Sequence, residues 1–244
     1  MAIGMLIIGD EILLGRRRDL HFSRMVEILE ARGLQLSWCM ILGDDTDQLV
    51  EFFKGTFQQS DIVFSFGGIG ATPDDLTRTA VAKALNVELE RHPDAVTELE
   101  KQYGEEAYPQ RIRMAELPQG STIIPNPVNR IAGFSVLNHH FVPGFPQMSW
   151  PMVEWVLDTK YSDIFPQHPP LLVEIRILEA REGSLINTMN QIISNYPQVK
   201  LSSLPYYDEE TFYVDIGLIG PPDEVKTASK ELYQMVHELG FETK

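Results

Sequence analysis

Ser65-Phe66-Gly67-Gly68-Ile69-Gly70-Ala71-Thr72-Pro73-Asp74-Asp75-Leu76-Thr77 is the stretch on which the reading of this chain turns. It follows an apolar run, Ile62-Val63-Phe64, that reads as a buried strand, and it precedes a helical pattern at Leu76, Ala80, Val81 and Ala84. A glycine-rich turn between a strand and a helix start is where α/β proteins bind anions, because small residues let the backbone approach and free N–H groups meet the ligand. Two aspartates at the same point are unusual, since carboxylates repel a phosphate unless something cationic stands between them. The turn therefore points to a phosphate-bearing ligand, and the aspartates to a divalent metal or a donor-rich ring beside it. Helix capping offers a second explanation: Thr72 as N-cap, Pro73 at N1 and Asp75 as the partner in a capping box. Capping accounts for those three residues but not for the glycines before them. The turn carries no Gly-Lys-Ser/Thr, so it is not a P-loop, and the chain has no G-x-S-x-G element.

Outward from this turn the chain alternates. Ile3 to Ile8 reads as a strand, and Phe22, Met25, Val26 and Leu29 have helical spacing that stops at Gly33. Leu34 to Leu42 reads as a second strand. Asp44-Asp45-Thr46 supplies N-cap candidates for a helix bearing Leu49, Val50, Phe53 and Phe57, and Asp61 to Phe66 is the third strand. This β-α-β-α-β-α order implies a parallel sheet covered by helices. A further helix follows from Pro93 to about Tyr103, then short strands at Thr122–Ile124, Ala132–Leu137 and His140–Val142. A closing helix is expected from Met152. Pro166-Gln167-His168-Pro169-Pro170 is the best linker candidate. Beyond it the pattern is strand, helix, strand, strand, helix. The expectation is thus an α/β domain over 1–165 and a small α+β module, βαββα, over 171–244.

The bulk properties narrow the function. With 43% hydrophobic residues among 244, the chain has material for a real core and is not a disordered segment. No apolar run reaches the roughly 18 residues a membrane span needs. The start, MAIGMLIIGD, shows no basic leader, and Cys39 is the only cysteine, so a cytoplasmic home without disulfides is expected. A net charge of −15 argues against nucleic acid or an anionic membrane as partner, while leaving room for a small anion held by local N–H groups.

Other candidates stand beside bland alternatives. Gly9-Asp10-Glu11 ends the first strand at the edge where open α/β sheets bind ligands, and its two acids could hold Mg²⁺; by itself it reads somewhat more readily as a solvated turn with an Asp cap. Val142-Pro143-Gly144-Phe145-Pro146 is a second strand-end turn or a rigid connector, and Asn126-Pro127 a turn. His139 and His140 are adjacent on a strand and face opposite ways, so they read as structural. Cys39 reads as a small core residue and Lys83 as solvated.

Together these pieces resemble a known family. Gly67 to Thr77 is similar to the GG-x-G-x-TPDD-x-T signature of the molybdopterin-binding (MoaB/Mog-like) domain, in the form found in the N-terminal domain of CinA-type competence/damage-inducible proteins and in eukaryotic FAD synthetase. Three further stretches agree in order: Ile8-Gly9-Asp10-Glu11-Ile12-Leu13-Leu14-Gly15; Arg113-Met114-Ala115-Glu116-Leu117-Pro118 with Ile124-Pro125-Asn126-Pro127; and Pro143-Gly144-Phe145-Pro146. The resemblance covers about residues 3–160 and implies a three-layer α/β/α fold with a mostly parallel sheet. It also implies a homo-oligomer, a dimer or trimer. It implies a pocket whose ligand, a nucleotide or molybdopterin, is bound by Gly67, Gly68, Gly70, Thr72, Asp74, Asn126, Pro143 and Gly144. Asp75 and Asp10 take the catalytic positions, with a divalent metal such as Mg²⁺ on Asp10, Glu11 and Asp75. The implied activity is metal-dependent hydrolysis of ADP-ribose-type pyrophosphates; the alternative is a non-catalytic pterin- or nucleotide-binding module or scaffold. Three departures bear on this. Arg16-Arg17-Arg18-Asp19-Leu20-His21 replaces the family's Asp-Thr-Asn stretch, adding positive charge near the mouth or forming a solvated helix start. Gln147-Met148-Ser149 lacks the family's acid. The chain ends at Lys244, before the amidohydrolase domain of full-length relatives, so nicotinamide-nucleotide deamidation is not expected.

Overall fold

Every residue of Ile3–Ile8 (β1) is buried. A strand with helices on both faces requires this: Leu6 and Ile8 enter one core, and Ile3, Met5 and Ile7 the other. The structure, a computed structural model, describes residues 2–208 and 211–244. They form two units, one ending at Phe165 and one spanning Pro166–Lys244.

In the first unit β1 is followed by a single helical turn α1 (Asp10–Leu13), α2 (His21–Glu30), β2 (Trp38–Leu42), α3 (Thr46–Thr56), β3 (Ile62–Phe66) and α4 (Thr77–Leu85). Then come β4 (Leu89–Arg91), α5 (Pro93–Tyr103), β5 (Glu116–Pro118), β6 (Thr122–Ile124), β7 (Gly133–Val136), β8 (His139–Val142) and α6 (Pro146–Lys160). The main sheet runs β2-β1-β3-β8-β7-β6. β2, β1, β3 and β8 are parallel, and β7 reverses against β8. Side-chain alternation places α2 and α6 over one face, with α3, α4 and α5 over the other. β4 and β5 form a separate antiparallel pair. Asp45 is the N-cap of α3, accepting from the Gln48 N–H at 2.9 Å.

Four expectations need correction. β2 is Trp38–Leu42, not 34–42. It is the sheet's edge, paired on one side only, with β1, and Cys39 is exposed rather than a core residue. On α2 the buried stripe is His21, Met25, Ile28 and Leu29, while Phe22 and Val26 are 49% and 38% exposed. Helix α6 begins at Pro146, six residues before Met152, because proline at N1 is already set to a helical φ. His139 and His140 are structural, as read. His139 Nε2 pairs with Thr56 Oγ1 at 2.9 Å, and His140 bridges Ser135 Oγ and the Tyr161 hydroxyl, each at 2.8 Å. Burial pushes His139 down to about 4 and His140 to about 3, and lifts Tyr161 to about 12.

The second unit is β9 (Leu171–Leu178), α7 (Glu182–Asn195), β10 (Lys200–Tyr207), β11 (Phe212–Gly220) and α8 (Pro222–Glu238). Its antiparallel sheet, β10-β11-β9, packs Ile175, Ile177, Val214 and Ile216 against Leu185 and Leu232 of the helices. No helix among the described residues is long and apolar enough to cross a membrane.

Candidate functional site

The sheet order sets β2 on one side of β1 and β3 on the other, so the chain steps outward from β1 to β2 and then crosses back to β3. That reversal is where open α/β sheets gather ligand loops. The turns after β1, β3 and β8 line one cavity of about 390 Å³. Its floor is Gly67, Gly68, Ile69 and Gly70; Pro143 and Gly144 border it on one side and Gly9 and Glu11 on the other.

Two glycines are required by geometry. Gly67 has φ +105, and a Cβ there would lie 2.4 Å from the Ile8 carbonyl oxygen. Gly68 has φ +67, and its Cβ would lie 2.2 Å from Thr77 Oγ1. Neither site accommodates a side chain without strain.

Only half of the capping box forms: Asp75 accepts the Thr72 N–H, but the Asp75 N–H donates to the Thr72 carbonyl at 3.1 Å and not to its hydroxyl. Helix α4 starts at Thr77 with Leu76 as its N-cap and no side-chain cap. Asp75 folds back on the turn instead. Its Oδ1 accepts the Gly70 N–H at 2.8 Å, and its Oδ2 accepts the Thr72 N–H at 2.8 Å and hydroxyl at 2.5 Å. The flexible glycines let the turn close on this carboxylate, which gathers three charge-assisted bonds ahead of the helix. The Thr77 hydroxyl donates to the Gly67 carbonyl at 3.0 Å. With Gly70 and Thr72 so engaged, the N–H groups of Gly68, Ile69 and Ala71 donate to no protein acceptor among the described residues. All three residues line the cavity.

The acids divide into two sets. Asp10 does not line the cavity; its Oδ1 accepts the Asp44 N–H at 3.2 Å, while Asp44 Oδ2 accepts the Asp10 N–H at 2.9 Å. Glu11, Asp44 and Asp74 do line it. Burial raises the Asp44 carboxyl above the usual carboxylate range, with repulsion from Asp10, Glu11 and Asp74 adding to it. Among the described residues no three acids, histidines or cysteines converge to hold a metal. Asp10, Glu11 and Asp75 are therefore not brought together as one ligand set, and Asp75 is committed to the turn.

The opposite wall is apolar: Met114, Ile131, Phe145 and Met148. The Arg17 guanidinium lies 5.7 Å from the Phe145 ring centroid, so one of the three arginines does stand at the mouth. Asn126 lies outside this cavity. Its amide donates to Asn129 Oδ1 at 2.8 Å and the Ile131 carbonyl at 3.0 Å, and its Oδ1 accepts the Val128 N–H at 3.0 Å. It shapes the loop that presents Asn129, which lines the cavity. Sequence reasoning missed Asp44, although it follows β2 at the same edge as Asp10. It also missed His21, which is buried against Phe66 with ring centroids 4.6 Å apart and whose Nε2 lies 3.3 Å from the Gly144 carbonyl oxygen. No local motif marks that tie.

A sequence profile described as “Probable molybdopterin binding domain” matches residues 4–162, and the chain belongs to that family. It is 30% identical over 241 residues to a CinA-like protein of Shigella flexneri, covering 94% of this chain and 58% of the relative; the same figures hold for CinA-like proteins of Escherichia coli. The chain thus spans just over half the length of these relatives. A protein of Pyrobaculum arsenaticum is 27% identical over 209 residues, covering 81% of this chain and 77% of its own length. A crystal structure of the CinA protein from Thermoplasma acidophilum superposes with a TM-score of 0.59 at 29% identity, covering 65% of this chain and 98% of that one.

Proposed function

We propose that this chain binds a phosphate-bearing nucleotide or pterin in the cavity at the ends of β1, β3 and β8. The unpaired N–H groups of Gly68, Ile69 and Ala71 carry this reading. Amides left without acceptors beside a cavity favour an anion. The wall of Met114, Ile131, Phe145 and Met148 suits the flat ring such a ligand brings. Calorimetric titration of the whole chain with ADP, ADP-ribose and a reduced pterin phosphate tests it: at least one should bind, and the loss of all three would defeat it.

Hydrolysis is a second reading, favoured by Glu11, Asp44 and Asp74 on the acidic wall. Among the described residues these acids do not converge as a resident metal cage. Release of AMP from ADP-ribose with Mg²⁺, Mn²⁺ or Co²⁺ is the test. Metal-dependent AMP that disappears in Glu11→Gln supports a hydrolase; no AMP with any metal leaves the binding function alone.

A further inference from the structure

The cavity wall carries four carboxylates, Glu11, Asp44, Asp74 and Asp75, against one guanidinium, Arg17. In a chain of net charge −15 this is a poor setting for an anion. A second cation stands behind the turn. Arg78, on α4, is only 7% exposed. Its guanidinium donates to the carbonyl oxygens of Gly70 and Arg113, and to that of Glu116 at 3.0 Å. No carboxylate lies within ion-pair distance of it among the described residues, and its buried Nε has no partner. Asp75 is its foremost opposing charge.

Arginine does not deprotonate in proteins, so this positive charge is permanent. Burying it without an ion pair is costly, and three carbonyls are what it holds in return. The three carbonyls lie on two segments, and both border the cavity. Gly70 belongs to the turn, and Arg113 and Glu116 flank the segment bearing Met114 on the apolar wall. Gly70 is thus held from both sides, its N–H by Asp75 and its carbonyl by Arg78.

We propose that Arg78 is the positioning residue of this site: it clamps the glycine turn to the Met114 wall, and its buried charge offsets Asp75 so that an anion can occupy the free amides. This rests on the ligand reading above. It also supplies from within the chain the cation that carboxylates beside a phosphate turn demand.

The test compares wild type, Arg78→Lys and Arg78→Gln in the whole chain, titrated with ADP and with uncharged adenosine, alongside amide exchange over residues 68–72. Arg78→Gln should weaken ADP by about tenfold, the scale of one charge-assisted interaction, and weaken adenosine clearly less. Arg78→Lys keeps the charge and loses the fork; it should retain most ADP affinity while exchange at Gly70 quickens. Equal losses for ADP and adenosine would make Arg78 a packing residue and overturn the proposal, as would unaltered ADP binding in Arg78→Gln. If Arg78→Gln does not fold, Arg78→Lys decides alone: unaltered exchange at Gly70 overturns the clamp. If ADP fails to bind the wild type, the comparison is run with whichever of ADP-ribose or the pterin phosphate binds; failure of all three defeats the ligand reading instead, and the exchange comparison still judges the clamp.

Discussion

Asp75 shows how a residue can be conspicuous in sequence and still have only part of its bonding legible there: the Thr72 N–H was readable as its partner, the Gly70 N–H was not. Its position three residues after Thr72 suits a capping box, and its place in the signature suits a metal. In the folded chain both oxygens are bound to Gly70 and Thr72. What decides is a competition between neighbouring N–H groups, and sequence spacing does not rank those. Asp75→Asn replaces an acceptor with a donor facing an N–H. It should cost about 1–3 kcal/mol and slacken the turn, checked by thermal unfolding together with ADP titration; an unchanged melting temperature would contradict the bonding described. Gly68→Ala meets both a positive φ and Thr77 Oγ1. It should destabilise by about 2–3 kcal/mol, with Gly15→Ala, where a Cβ meets nothing within 4 Å, as the milder control at positive φ.

At the scale of elements, the strands and helices with strong periodicity were legible, because burial on both faces leaves a continuous apolar run in β1 and β3. What was not legible is which strand lies at the edge. Nothing local distinguishes Trp38–Leu42 from a central strand, so Cys39 was read as core. Its exposure predicts complete modification by one equivalent of maleimide without denaturant. Partial burial and the Asp19 charge raise its thiol pKa above the ordinary range, so the reaction should be slower than that of a free thiol at neutral pH and quicken as the pH rises. On β8 the paired histidines set the acid limit. Both are held neutral when folded, so the unfolded chain takes up their protons. Stability is therefore full above pH 6.5 and declines as pH falls from 6.5 toward about 4 for His139 and about 3 for His140. The limiting slope is about 1.4 kcal/mol per pH unit for each proton. In His140→Gln the stability difference between pH 7 and pH 5, measured by urea unfolding, should shrink; an undiminished difference would count against His140 as a source.

At the scale of the molecule, the second unit has its own core around Ile175, Ile216 and Leu232, so residues 166–244 alone should unfold cooperatively and give dispersed amide resonances; a collapsed spectrum would show that its core is insufficient. In the first unit the order β2-β1-β3-β8 makes the three ligand turns leave from adjacent parallel strands. Neighbouring strands are 4.7–4.9 Å apart, so the turns after β1 and β8 are spaced by roughly 10 Å. The sheet is therefore a ruler as well as a support: a molecule that touches both outer turns must be about that long, and a lone phosphate reaches only one mark.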